Sequence, residues 1–158
     1  MRRDNEAPHR LWVSLRTPRL KKHLVPAFAG KSGLEKSRML ETIDHAQVAI
    51  PKGGEAKARA FYQALLGLPE QPKPPELAKR GGCWFESAAV KLHCGVEEPF
   101  SPAKKAHIAF RVDDVTGLAA RARAAGYEVV DDDLLEGHER IYIYDPFGNR
   151  LEFLRPLS

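Results

Sequence analysis

No apolar stretch in this 158-residue chain approaches the ~20 residues that a membrane-spanning helix requires, so no membrane partner is expected. Cysteine is scarce. Cys83 and Cys94 lie eleven residues apart without CxxC spacing, which indicates neither a zinc knuckle nor a disulfide framework. They read as small apolar fillers in a reduced, cytoplasmic chain. The six histidines form no HxxxH or HExxH element, so no helical zinc motif is present. A basic face is also missing from most of the chain. Residues 39–158 hold 15 Lys/Arg against 18 Asp/Glu, a net −3, which argues against a nucleic-acid-binding body. The sequence pI of 9.1 belongs to residues 1–38, where 10 Lys/Arg stand against 3 Asp/Glu, a net +7.

That basic segment carries Pro8, Pro18 and Pro26 and shows no sustained period, so it is expected to be a disordered extension. It has no secretory-type apolar core; an organellar leader, a tether or sequence upstream of a natural start at Met39 are the readings open to it. The folded body is expected over 39–158, a length sufficient for one domain or for two small modules sharing a core.

What the body does contain is a repeat. His45, Gly67 and Lys91-Leu92-His93 recur as His107, Gly126 and Arg150-Leu151-Glu152, offset by 62 residues at the histidines and by 59 at the glycine and the triplet. The two modules cover about 42–98 and 105–156. In the first, residues 43–50 alternate as a strand. Ala58, Phe61, Tyr62, Leu65 and Leu66 then recur at helical spacing over 55–66, and Gly67 supplies the left-handed stop. Pro69, Pro72, Pro74 and Pro75 predict a loop without regular structure, followed by strands near 82–87 and 89–96. The second module repeats the order: strand 106–112, helix 114–125, a short strand at 127–130, a solvated loop through Asp131-Asp132-Asp133, and strands 139–144 and 149–155. His138 falls in a predicted loop. Asp145-Pro146-Phe147-Gly148-Asn149 is a hairpin connection.

Side chains alternate across a strand, so register decides what shares a face. Ile108, Phe110 and Val112, then Leu92 and Cys94, then Leu151 and Phe153, form apolar faces suited to packing on helices. His45, His93, His107 and Glu152 fall on the opposite faces. Brought together about a pseudo-twofold axis they are candidate ligands for a divalent first-row metal, Zn, Fe, Ni or Mn. Taken singly, each is an ordinary half-buried polar residue on an open sheet face. Arg140, Tyr142 and Tyr144 share a face that parity assigns to the same wall, where Arg and Tyr suit a substrate carboxylate or phosphate. Gln47 and Arg111 are further substrate-binding candidates beside His45 and His107.

In Ile43-Asp44-His45, in Ala60-Phe61-Tyr62 through Leu65-Leu66-Gly67-Leu68, in Ala106-His107-Ile108-Ala109-Phe110 and in Asp145 through Glu152, residues 42–156 resemble the vicinal oxygen chelate superfamily, the glyoxalase/bleomycin resistance/extradiol dioxygenase group. The resemblance implies an α+β fold of two βαβββ modules, with a curled mixed-sheet cup around a metal and helices on the outer face. It places His45, His107 and Glu152 at the usual ligand positions and His93 at a variable fourth. His93 departs from the Glu or Gln that glyoxalase-I-like and epimerase-like members often carry there. His45, His107 and Glu152 match the two-His, one-carboxylate triad of extradiol dioxygenases and of fosfomycin-resistance-like transferases.

The leading expectation is a small metal-dependent enzyme of lyase, isomerase or dioxygenase type, acting on a small molecule with adjacent oxygens and forming a homodimer. Glu152 or His93 would carry the proton. The alternative from another class is a metal-free protein that sequesters an antibiotic or other small molecule; a third is an interaction module using the basic arm. Module pairing within one chain or between two remains open at this point.

Overall fold

The computed structural model describes residues 40–157; the expectations for residues 1–38 lie outside them. Two four-stranded sheets carry the chain, and both have the same strand order. In the first module β1 (Ala46–Ile50), β2 (Glu70–Gln71), β3 (Cys83–Glu86) and β4 (Lys91–Val96) are ordered β1-β4-β3-β2. In the second, β5 (Ile108–Arg111), β6 (Val129–Asp131), β7 (His138–Tyr144) and β8 (Arg150–Pro156) are ordered β5-β8-β7-β6. The first and last strands of each module run parallel and the other pairs antiparallel. The internal duplication read from the residues is therefore a duplication of topology, in the α+β, two-module arrangement expected.

Each first strand needs a crossover to reach its parallel partner, and the helices supply it. α1 (Glu55–Ala58) continues directly into a seven-residue π-helical stretch, Arg59–Leu65. The wider turn draws consecutive residues toward one side, and the adjacent Phe61 and Tyr62 are both fully buried. Gly67 closes the helix at φ +73°. The prolines that follow do not exclude regular structure as expected. Glu70 and Gln71, lying between Pro69 and Pro72, pair as an edge strand with Phe85 and Trp84. Pro75 opens a short helix, α2 (Pro75–Ala78), at a position where its missing N–H is not needed. In the second module α3 (Val115–Ala124) starts at Asp114, whose carboxylate accepts from the Gly117 amide at 2.7 Å, and ends before Gly126 at φ +83°.

Two further expectations change. His138 is the first residue of β7, not part of a loop. The Asp131–Asp133 run is not simply solvated, because Asp131 ends β6 and pairs with Arg123 while Asp132 pairs with Arg140.

The apolar faces of both sheets meet one hydrophobic core, with Ile50, Phe61, Phe85 and Leu92 from the first module and Val115, Ile143, Leu151 and Phe153 from the second. Phe61 meets Tyr127 edge-on at 4.8 Å. Tyr62 donates its hydroxyl to Asp145 at 2.8 Å, and Asn149 donates to the Ala49 carbonyl at 2.8 Å. Those contacts fasten the modules through their helix side, leaving the opposite sheet faces open. Among the described residues no helix is long and apolar enough to cross a membrane.

Candidate metal centre

Register settles which side chains share the open faces. On the first sheet Gln47 is opposite His93, and His93 is opposite Trp84. His45, immediately before β1, stands beside them: its ring stacks on His93 at 4.2 Å, and His93 stacks on Trp84 at 4.3 Å. The three rings line a cavity of about 640 Å³. The Gln47 amide lies across Gly95, where an added Cβ would meet its nitrogen at 2.8 Å. Burial, with the neighbouring His45 as a lesser cause, pushes the His93 imidazole toward its neutral form, the form that accepts a proton or a metal. Asp44 stands 3.0 Å from His45 Nδ1, and the hydrogen bond to that ring, followed by Lys91, holds its carboxyl below the usual range.

On the second sheet Ala109, Glu152 and Tyr142 are successive cross-strand neighbours. Glu152 is 8% exposed, a burial that a carboxylate tolerates only with partners. Its Oε2 lies 2.7 Å from His107 Nε2, and its Oε1 lies 3.5 Å from Arg140. His107 Nδ1 lies 2.9 Å from the Lys105 carbonyl. Arg150, which can only donate, lies 3.0 Å from the same Nδ1, so Nε2 carries the ring proton toward Glu152, and an ion bound there would take that proton's place. Imidazole Nε2 and carboxylate Oε2 are thus held side by side, as two donors suited to a divalent first-row ion.

The expected substrate groups have more specific partners than sequence parity supplies. Arg140 donates to Asp132 through Nε at 3.1 Å and through a second nitrogen at 2.5 Å, and this hydrogen bonding holds that carboxyl below the usual range. Tyr142 lies between two guanidiniums, with Arg140 at 5.5 Å and Arg150 at 4.8 Å from its ring, and meets His107 edge-on at 5.8 Å. Tyr144 is opposite Arg150 on the same sheet, and Arg111, opposite Leu154, is exposed at the end of β5.

The structure brings His45 to His93 and His107 to Glu152, but it does not bring the two pairs together within one copy. Among the described residues no three His, Cys, Asp or Glu side chains gather into a group able to hold a metal ion, and the cavity beside His45 and His93 includes neither His107 nor Glu152. Trp84 was missed in the sequence reading, although its alternation with buried Cys83 and Phe85 puts it on the histidine face. Asp132 and the cationic Lys73 and Arg80 were also missed. No local period marks them, because long-range strand pairing and a loop bring them to the sheet faces.

The family model for the Glyoxalase/Bleomycin resistance protein/Dioxygenase superfamily matches residues 42–153. The chain belongs to that superfamily. A glyoxalase family protein from Bacillus anthracis is 47% identical, with 75% of this chain and 98% of that one covered at a TM-score of 0.72. The fosfomycin resistance protein FosX from Listeria monocytogenes, in a variant complexed with Mn(II) and dihydroxypropylphosphonic acid, is 19% identical, with 73% and 92% covered and a TM-score of 0.60. FosX from Mesorhizobium loti is 18% identical, with the same coverage and a TM-score of 0.58. At those identities the likeness to FosX is one of fold. None of the curated proteins compared with the chain matches it.

Proposed function

We propose that this glyoxalase-superfamily chain is a metal-dependent enzyme acting on a small molecule with adjacent oxygen atoms. His45, His107 and Glu152 would hold the ion and His93 would serve as fourth ligand or proton carrier. The observation that carries this reading is the 2.7 Å apposition of the His107 imidazole and the buried Glu152 carboxylate on an open sheet face. A divalent ion there would supply charge to polarise a substrate oxygen. His93, kept toward its neutral form, is suited to take a proton at its free ring nitrogen.

A second copy completes the site. The open half-sites lie beside β1 and β5, and each of those strands is the unpaired edge of its sheet. Unpaired edges recruit further strands unless they are covered. A symmetric pairing that sets module one of one copy against module two of the other unites His45 and His93 with His107 and Glu152 twice per dimer.

Metal analysis after growth in Mn- or Zn-supplemented medium tests both statements. One ion per chain is expected for the native protein, with near-complete loss in His45→Ala and in Glu152→Gln. Mixing those two variants after unfolding and refolding together restores about a quarter of native metal binding if sites form between copies, since half the dimers regain one of two sites. No restoration means that sites form within a copy. Substoichiometric metal in the native protein, with ligand binding indifferent to His45→Ala, points instead to a metal-free sequestering protein.

A further inference from the structure

The 59-residue offset equates residues 72–82 with 131–141, and the two segments have opposite charge. The first holds three Lys/Arg against one Glu, a net +2; the second holds one Arg against five Asp/Glu, a net −4. The first lines the His45–His93 cavity, so its charge bears on what enters there.

Most cations near the open sheet faces are already engaged. Lys91 lies 3.5 Å from both Asp44 and Glu86. Arg140 is spent on Asp132 and Glu152. Arg150 donates to the Lys105 carbonyl and packs over Tyr142. Lys73 and Arg80 differ. Both line the His45–His93 cavity, and neither has a carboxylate within ion-pair distance among the described residues. Lys73 lies 5.8 Å from the centre of the Trp84 ring, which lines the same cavity.

Their segment is anchored rather than loose. Lys73 donates to the Gly81 carbonyl, which ties its two ends together. The Gly82 amide donates to Glu55 at 2.8 Å, and Gly82 sits so close to the Cys94 carbonyl that an added Cβ would lie 2.1 Å from it. The hydrogen bond to Lys73 uses one of three ammonium protons and leaves the others for a ligand.

We infer that the 72–82 segment is a selectivity wall, with Lys73 and Arg80 receiving an oxyanion on the substrate, a carboxylate or a phosphonate, in the cavity beside His45 and His93. The inference deepens the proposed function and rests on its placing the substrate in this cavity. An anionic group is drawn to the wall that carries unpaired charge, whereas Asp131, Asp132 and Glu139 of the other segment are neutralised by Arg123, Arg140 and Arg155.

Isothermal titration of the full-length protein with propylphosphonate, butyrate and neutral 1-butanol, with Mn(II) and again with EDTA, provides the test. Saturable binding of at least one anion and none of the alcohol is expected. Arg80→Gln weakens it roughly tenfold, the loss of one charge-assisted contact, and Arg80→Glu abolishes it. Lys57→Gln, on the exposed side of α1, leaves it unchanged. Arg80 is exposed, so its variants are expected to fold, and circular dichroism checks that they do. The phosphonate and carboxylate arms identify which oxyanion the wall prefers. Absence of anion binding, equal binding of the alcohol, or indifference to Arg80→Glu overturns the inference. Anion binding that survives EDTA and Glu152→Gln, in a protein that takes up no metal, upholds the wall while sinking the metal reading.

Discussion

Two modules with one topology have been put to different uses. The second builds an electrostatic chain on its open face, Asp132 to Arg140 to Glu152, with His107 hydrogen-bonded at its end. The first builds a row of three stacked rings, flanked by a basic segment with charge to spare. The comparison teaches that duplication preserves the backbone and the apolar faces, which both modules need for a shared core. The open faces carry no such shared constraint, and in the proposed site they would take unlike roles, one holding a cation and one receiving the rest of a substrate.

The contact that fastens the halves is itself asymmetric, and breaking it gives the largest expected effect. Asp145, 4% exposed, accepts from the Tyr62 hydroxyl, from the Phe147 and Asn149 amides, and from the Asn149 side chain, all at 2.8–2.9 Å. At the 59-residue offset the corresponding pair is Arg121 and Glu86, of which Arg121 is exposed and Glu86 pairs with Lys91. Asp145→Ala leaves four donors without their acceptor and is expected to cost roughly 3–5 kcal/mol by urea unfolding. Tyr62→Phe removes one donor and is expected to cost about 1.5–3 kcal/mol. Glu86→Ala falls within about 0.5 kcal/mol of native. A comparable loss for Glu86→Ala would mean that the two connections are equivalent after all.

What sequence alone makes legible follows the same division. The duplicated strands, the helix-stopping Gly67 and Gly126, and the separation of Leu92, Cys94, Leu151 and Phe153 from the histidine face are set by local periods, and the structure reproduces them. The 69–82 segment is less legible. Counting prolines predicts no regular structure, whereas two residues free of proline suffice for a strand pair and Pro75 suits a helix start. The pairing of Asp132 with Arg140 depends on β6 and β7 lying side by side. The proposed meeting of His45 and His93 with His107 and Glu152 would depend on module pairing, which no period encodes.

Glycines sharpen the contrast at the next scale. Gly82 and Gly137 both adopt left-handed backbone, at φ +75° and +73°, in segments that the offset roughly equates. Around Gly137 nothing lies within 4 Å of an added Cβ, so Gly137→Ala meets only backbone strain and is expected to cost about 1 kcal/mol. Gly82→Ala adds the collision with the Cys94 carbonyl, and is expected to cost roughly 3 kcal/mol. It should also loosen the selectivity wall and weaken anion binding. Equal unfolding midpoints for the two variants would show that the 72–82 segment is no better anchored than its counterpart.

The smallest effect separates the two modules by pH. The Arg140 hydrogen bond holds Asp132 below its ordinary 3.8 in the folded chain, and Thr116, then Arg155, hold Glu139 below 4.5. As pH falls, the unfolded chain therefore takes up these protons first. The stability such groups contribute is complete above the ordinary values and disappears as pH drops through the lower, folded ones. Asp132→Asn should lower the urea midpoint at about pH 7, and the difference from native should vanish by about pH 2. Asp44 is depressed in the same direction, first by His45 and then by Lys91. Its side chain is 76% exposed against 17% for Asp132, and water screens an exposed pair. Asp44→Asn should thus change the same curve less than Asp132→Asn does. A gap for Asp132→Asn that persists unchanged at low pH would assign its effect to lost packing, and the charge chain of the second module would lose its place in the stability of the fold.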